Sequence, residues 1–311
     1  MTDTIDRLPR SLWSLLCALT LVWGFNWAVM KVVITEIPPW GFRSVCLASG
    51  FVGLLSVARW RGQPIVAPLA QWWRIALVAL FTVSLQTICI MLALPLLSAG
   101  RVVIVLYTMP AWSVLLARVV LGEALTRRRL LGALLGLCGV LVLLVRDLPV
   151  WDQATHDTRS GLLLMLGAAM VWAMGVVLQK RFPVNVPMTT YTAWMAFFGG
   201  IPIVLLAWVF ERDTLLRLHG FTLWPVMGVV YNMLFVFVFG WWAWTKIVDE
   251  APAGVAGLAS LMIPVVGVAS GMLVLAETPT VYDWCALACV MAAIATVLMP
   301  SQWRRVASCR D

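Results

Sequence analysis

Charge is scarce in this chain. Asp, Glu, Lys and Arg make up 12% of its 311 residues, about half the share in a soluble domain. Stretches such as Leu12 to Met30, Val102 to Ala117 and Leu223 to Thr245 carry none at all, which excludes a solvated surface along them. No segment alternates polar and apolar residues over roughly ten positions, which excludes a membrane β-barrel. Histidine is limited to His156 and His219. The seven cysteines (Cys17, Cys46, Cys89, Cys138, Cys285, Cys289 and Cys309) include no CxxC pair, and six lie in apolar runs. Neither a metal site nor a disulfide framework is expected. None of Lys31, Lys180 or Lys246 follows a glycine, so there is no GxxxxGK[ST] phosphate loop, and HExxH and GxSxG are missing too. ATP hydrolysis, zinc proteolysis and serine hydrolysis lose their usual machinery. The expectation is a non-enzyme without cofactor. The net charge of +8 is scattered over loops, so nucleic-acid binding, which wants one basic face, is not expected.

What the chain has is apolar length. Hydrophobic residues make up 62% of it, and its mean hydropathy is +0.96. A helix needs about 20 apolar residues to cross a bilayer, and in lipid every backbone group must be paired within its segment. The runs predict ten transmembrane helices, at 12–34, 40–58, 73–94, 98–120, 129–146, 161–181, 188–210, 222–245, 252–275 and 280–300. Prolines and arginines separate them, and many tryptophans, Trp40, Trp60, Trp73, Trp208, Trp224, Trp284 and Trp303 among them, fall at span ends, where such rings favour the interface. The first run is too long for a signal-peptide core. With the N-terminus inside, 15 Lys and Arg lie on the inner side (Arg7, Arg304, Arg305 and Arg310 among them) and 5 on the outer: Lys31, Arg146, Arg159, Arg212 and Arg217. That bias puts both termini in the cytoplasm.

The chain also reads as a duplication. Trp23 and Lys31 recur 149 residues later as Trp172 and Lys180. Pro110 and Glu123 recur 154 residues later as Pro264 and Glu277. Ser98-Ala99-Gly100 matches Pro252-Ala253-Gly254, and Leu121-Gly122-Glu123 matches Leu275-Ala276-Glu277. The expected halves are 1–150 and 151–311, five spans each. Five is odd, so adjacent copies must lie upside down to each other. The loops agree: Arg127, Arg128 and Arg129 follow Glu123, whereas no Lys or Arg lies near Glu277 on its C-terminal side. The fold class expected is therefore an all-α membrane protein of two inverted five-helix repeats. Such repeats are common in secondary transporters, with the site near the midplane between the halves.

At these residues the chain resembles the drug/metabolite transporter superfamily, and within it the EamA family. The resemblance rests on Trp23-Gly24-Phe25-Asn26-Trp27 through Lys31, on Pro39 to Arg43, on Ala99-Gly100-Arg101 through Tyr107-Thr108-Met109-Pro110 to Leu121-Gly122-Glu123, and on Leu131-Gly132-Ala133 through Gly139-Val140. It covers nearly the whole chain and implies an exporter of amino acids or other metabolites, akin to the bacterial aromatic amino-acid exporters, in a bacterial inner membrane. Val255 stands where a partner for Arg101 would fall, so any role of Arg101 is asymmetric.

The substrate pathway must use polar and aromatic residues inside spans. Trp23, Asn26, Trp27 and Met30 share one helical face. Asn26 and Gln86 fit either interhelical glue or pathway lining. Tyr107, Trp172, Tyr231 and Asn232 fit packing or, as a set, an aromatic cavity with polar anchors; Asn26, Tyr107 and Trp172 are expected to line it. Arg43 and Arg101 either snorkel or meet a substrate carboxylate. Glu123 and Glu277, at helix ends, are expected to cap or to close gates. Pro110 and Pro264 remove a helical hydrogen bond at matching points and would give hinges. The glycine pairs Gly132/Gly136 and Gly267/Gly271 suit close helix packing. No Asp or Glu falls at midspan, so exchange or facilitated diffusion is expected rather than proton coupling. The partners expected are lipid and a small solute, with the chain a monomer or weak homo-oligomer. Export of organic cations, or a non-transporting scaffold or receptor subunit, are the alternatives.

Overall fold

The computed structural model describes residues 10–146, 153–216, 220–250 and 253–298. The half boundary at 150/151, together with Arg7, Arg217, His219, Pro252, Trp303, Arg304, Arg305, Cys309 and Arg310, lies outside them. The regular elements among the described residues are all helices, with no strand. In chain order they form α1 (Arg10–Val33), α2 (Pro39–Trp60), α3 (built from Leu69–Gln71, Trp72–Ala79, Leu80–Leu85 and Gln86–Ala93), α4 (Ala99–Leu106 and Met109–Leu121) and α5 (Arg127–Arg146). There follow α6 (Gln153–Arg181), α7 (Met188–Phe210), a short turn of helix at Arg212–Leu216, α8 (Leu223–Tyr231, Asn232–Gly240 and Trp241–Glu250), α9 (Ala253–Leu275) and α10 (Val281–Leu298). Among the described residues, seven helices are long and apolar enough to cross a membrane, and shorter apolar stretches occur at Leu130–Leu144, Met262–Leu275 and Val281–Thr296.

The helix ends follow local chemistry. Pro38 and Pro187 hold extended backbone just before α2 and α7, as a residue in the N-cap position must. Ser98 caps α4 by accepting from the Arg101 backbone N–H. At α10, Asp283 accepts from both the N–H and the hydroxyl of Thr280 at 2.7 Å, half of a capping box. α4 ends on Gly122 at φ +69°, and α9 ends on Ala276 at φ +53°, the one non-glycine with positive φ among the described residues. In both, the next residue's N–H reaches back six positions, Glu123 to Ala117 O and Glu277 to Gly271 O, the signature of a Schellman end.

Packing is dominated by three helix pairs: α1 with α9, α2 with α7, and α5 with α10. α6 lies against α3 and α4, and α8 lies against α1 and α2. The largest core cluster joins α1, α4 and α6 with residues of α9 and α10. Small residues let the helices close up. A Cβ on Gly24 would lie 2.5 Å from Val266 Cβ, Gly267 faces Val103, Gly271 faces Ala99, and Gly136 faces Ala111. Large apolar side chains also cover the outside: Val52, Leu205, Trp208, Leu273 and Val281 are all more than half exposed. A bundle apolar both within and without suits lipid as its surroundings.

Two stretches are π-helical, Leu80–Leu85 in α3 and Asn232–Gly240 in α8. Such turns are rare and frequent at functional sites. They are seated on glycines: Gly199 of α7 faces Val83, and Gly50 of α2 faces Phe237.

Candidate functional site

At one end of the bundle, α4, α9 and α10 bring together the charges that the sequence scatters. Glu277, just past α9, accepts from the backbone N–H of Ala99 at 2.7 Å and of Gly100 at 3.2 Å. Its carboxylate therefore sits on the N-terminus of α4, where free N–H groups and the helix dipole favour an anion. Lys31, at the end of α1, lies 3.7 Å from the same carboxylate and also donates to Leu97 O. Beside them Arg101 Nε donates to Asp283 at 2.8 Å, with both side chains mostly buried. A cavity of about 330 Å³ opens here, lined by Ser98, Arg101, Ile104, Thr158, Glu277 and Asp283 among others. Arg101 thus already has a carboxylate from the protein. A second lysine–glutamate pair, Lys180 with Glu123, joins the end of α6 to the residue just past the end of α4.

A third carboxylate repeats the capping arrangement. Glu211, just past α7, accepts from the N–H of Trp40 at 3.0 Å and of Gly41 at 2.6 Å, on the N-terminus of α2. Burial pushes its carboxyl above the usual value of 4.5, and the two N–H donors pull the other way. Nearby in the loops, Glu36 accepts from the Thr222 hydroxyl and backbone N–H, which holds its carboxyl below the usual value. Glu211 carried no signal in the sequence: it is a loop acid about 170 residues from its partners.

Deeper in, two residues of the first-helix face, Asn26 and Met30, come together with Arg43 of α2. Asn26 Nδ2 donates to Met30 Sδ at 3.1 Å, and Arg43 Nη2 donates to the same sulfur at 3.3 Å. Trp23 leaves this group. Its ring packs on Trp241 and Trp244, with centroids at 5.5 and 5.8 Å, and its Nε1 faces Val236 O at 3.5 Å. Tyr107 packs against the main core. Trp172 is half-buried on α6, with no ring contact among the described residues. Gln86, directly after the first π segment, turns its amide toward Met109 Sδ at 3.9 Å. Tyr231 donates to Val22 O at 2.7 Å and stacks on Phe235. Asn232, fully buried, donates to Gly228 O one turn back. Asn26, Met30 and Arg43 are therefore brought together, while Trp23, Gln86, Trp172, Tyr231 and Asn232 are spread over other contacts.

The two prolines are not alike. α4 stops at Leu106, and Pro110 sits in the first turn of its second piece, where a missing N–H costs nothing. α9 runs unbroken through Pro264.

The EamA-like transporter family model matches residues 11–145 and again 159–299. The chain belongs to the EamA-like transporter family. Named relatives include a "Probable amino-acid metabolite efflux pump" of Salmonella typhimurium, 27% identical over 92% of this chain and 94% of its own length. The protein of the same description from Escherichia coli is 25% identical over the same shares, and the transporter YoaV of Bacillus subtilis is 23% identical over 85% of this chain and 88% of its own. One solved structure, 20% identical, superposes with a TM-score of 0.66 over 96% of this chain and 99% of that one, which bears on the fold alone. This EamA protein is a multi-pass membrane transporter by family and by its apolar helices.

Proposed function

We propose that this EamA protein exports small metabolites, amino acids among them, across a bacterial cytoplasmic membrane by alternating access between two inverted halves, 1–150 and 151–311. The observation that carries this reading is the pair of lysine–glutamate contacts. Lys31 of the first half meets Glu277 of the second, and Lys180 of the second meets Glu123 of the first. Exchanging the halves turns one contact into the other. In an inverted repeat such twins fall at opposite mouths, so each ties the halves together at one face. Opening a face then requires breaking one contact and keeping its twin.

Other features support the duplication. The family model fits once in each half. Both fourth helices of a half end on a left-handed residue followed by glutamate. Both third helices carry a π segment, each lodged against a glycine, Gly50 or Gly199, and those glycines are again 149 residues apart. The packing of α2 with α7 and of α5 with α10 pairs each helix with its own repeat.

Export and amino-acid metabolites come from the relatives' names. A zwitterion carries no net charge, so an inside-negative potential does not oppose its exit, whereas a cation leaving would face about 2.3 kcal/mol per 100 mV. The carboxylates of the described residues stand at helix ends or in loops, so no midspan acid is on hand to carry protons, and exchange or facilitated diffusion is the mode. The purified chain in proteoliposomes should give saturable amino-acid flux that a pH gradient leaves nearly unchanged; strong acceleration by the gradient would overturn the uncoupled mode.

A further inference from the structure

Arg43 lies one turn inside α2 and is 7% exposed. A guanidinium keeps its charge in any protein interior. What meets this one is a thioether and two phenyl rings. Nη2 donates to Met30 Sδ, and the Phe42 and Phe237 centroids each lie 5.5 Å from its central carbon. Nε is buried and has no hydrogen-bond partner among the described residues. No carboxylate pairs with Arg43 among the described residues. Glu211, the acid at this end of α2, already has its two oxygens on Trp40 and Gly41. A buried charge without an opposite charge is the arrangement proteins avoid. Two part-buried cations of this bundle do have a carboxylate, Lys31 with Glu277 and Arg101 with Asp283.

A second unsatisfied group lies beside it. Asn26 is 7% exposed, gives its Nδ2 to the Met30 sulfur, and leaves Oδ1 buried with no partner among the described residues. A cation and an acceptor, both incompletely satisfied, thus flank one methionine side chain, and methionine is the most adaptable of apolar fillers. The repeat supplies a control. The positions 149 residues on are Thr192, whose hydroxyl is satisfied by Met188 O, and Gly175. The helix packing therefore does not itself demand an arginine and an asparagine here; the first half alone carries them.

We propose that Arg43 and Asn26 anchor the transported solute, the guanidinium taking its carboxylate and the Asn26 carbonyl oxygen its neighbouring ammonium, with Met30 moving aside. This rests on the transporter reading above and deepens it. The substrate class becomes α-amino acids and close kin, and organic cations lacking a carboxylate are excluded. An arginine fork suits a planar carboxylate in a way a lysine ammonium does not.

The test is ligand-induced thermal stabilisation of the full chain in detergent, with the standard L-amino acids offered singly beside their α-carboxamides and N-acetyl derivatives. At least one amino acid should raise the melting temperature by several degrees, its carboxamide should not, and its N-acetyl form should act only weakly. Arg43→Lys should weaken that binding by about tenfold or more, and Asn26→Ala should erase the preference for the free ammonium. If the variants do not fold, the comparison of acid with carboxamide on the native chain decides alone. Stabilisation by no carboxylate, equal stabilisation by acid and amide, or unchanged binding by a folded Arg43→Lys chain would each overturn the proposal. So would a shift from chloride alone, which marks an inorganic anion site. Binding with the expected preference but no flux in proteoliposomes would remove the transport reading and keep the anchor. Flux indifferent to Arg43→Lys would keep transport and remove the anchor.

Discussion

Glu277→Ala should be among the most damaging single changes at the surface end of the bundle. The carboxylate satisfies two N–H groups at the start of α4, Ala99 and Gly100, at 2.7 and 3.2 Å. Hydrogen bonds to a charged group contribute about 1.5–3 kcal/mol each, and losing an N-cap costs about 1 kcal/mol in ordinary cases. The Glu277 side chain is 16% exposed, so water replaces only part of what is lost. The Lys31 contact adds less. At 3.7 Å, with the lysine 23% exposed and also held by Leu97 O, it is worth under about 1 kcal/mol after screening. The net is a loss of about 2–4 kcal/mol for Glu277→Ala, and about half that for Glu277→Gln, which keeps an uncharged acceptor. With a few degrees per kcal/mol in chains of this size, the melting temperature in detergent should fall by about 5–10 °C for the alanine variant. The cycle with Lys31→Ala should give a coupling of about 1 kcal/mol or less. A Glu277→Ala chain as stable as the native one, or a Lys31→Ala chain more damaged than Glu277→Ala, would refute the reasoning that the backbone cap dominates.

Ala276→Gly should stabilise by about 0.5–1 kcal/mol, because a left-handed alanine costs about 1–2 kcal/mol and glycine's greater freedom when unfolded returns part of it; a drop in melting temperature would contradict this. Gly24→Ala should cost about 1–3 kcal/mol by overpacking α1 against α9, since its Cβ would lie 2.5 Å from Val266 Cβ, and a neutral result would mean that the helices part freely there. Glu211 is held above its usual 4.5 by burial. A raised folded value gives stability that is full below pH 4.5 and lost as pH rises through the folded value. Glu211→Gln, which cannot titrate, should therefore flatten the melting-temperature profile across that window, and an unchanged slope there would show that the two N–H donors cancel burial.

Apolar length alone located the helices, because lipid demands it segment by segment. The spans read at 40–58 and 188–210 differ from α2 and α7 by two residues at most. The lysines and glutamates were visible as matching marks, but which lysine meets which glutamate depends on how α1, α4, α6 and α9 pack. The π segments were invisible, since Leu80–Leu85 and Asn232–Gly240 read as ordinary apolar helix; only the seats at Gly50 and Gly199 hint at them. Thr280 and Asp283 could have been read as a capping pair from their spacing. Pro110 suggested a bend within one helix, whereas the chain closes one helix at Leu106 and opens another at Met109, using the proline where its missing N–H is harmless. Arg43 could be placed near a membrane face, but that no carboxylate meets it among the described residues is a fact of packing and needed the neighbours on α1 and α8.

Counterflow of a labelled amino acid through proteoliposomes holding the purified chain, with either lysine–glutamate contact replaced by a reversible cross-link, tests alternating access most directly. Cysteines would replace Lys31 and Glu277 in one variant and Lys180 and Glu123 in the other, on a background free of the native cysteines, joined by a cleavable reagent. Saturable exchange is expected before cross-linking, none with either end tied, and recovery on cleavage in both. Exchange that persists with one end tied, or no exchange by the untied chain, would contradict alternating access.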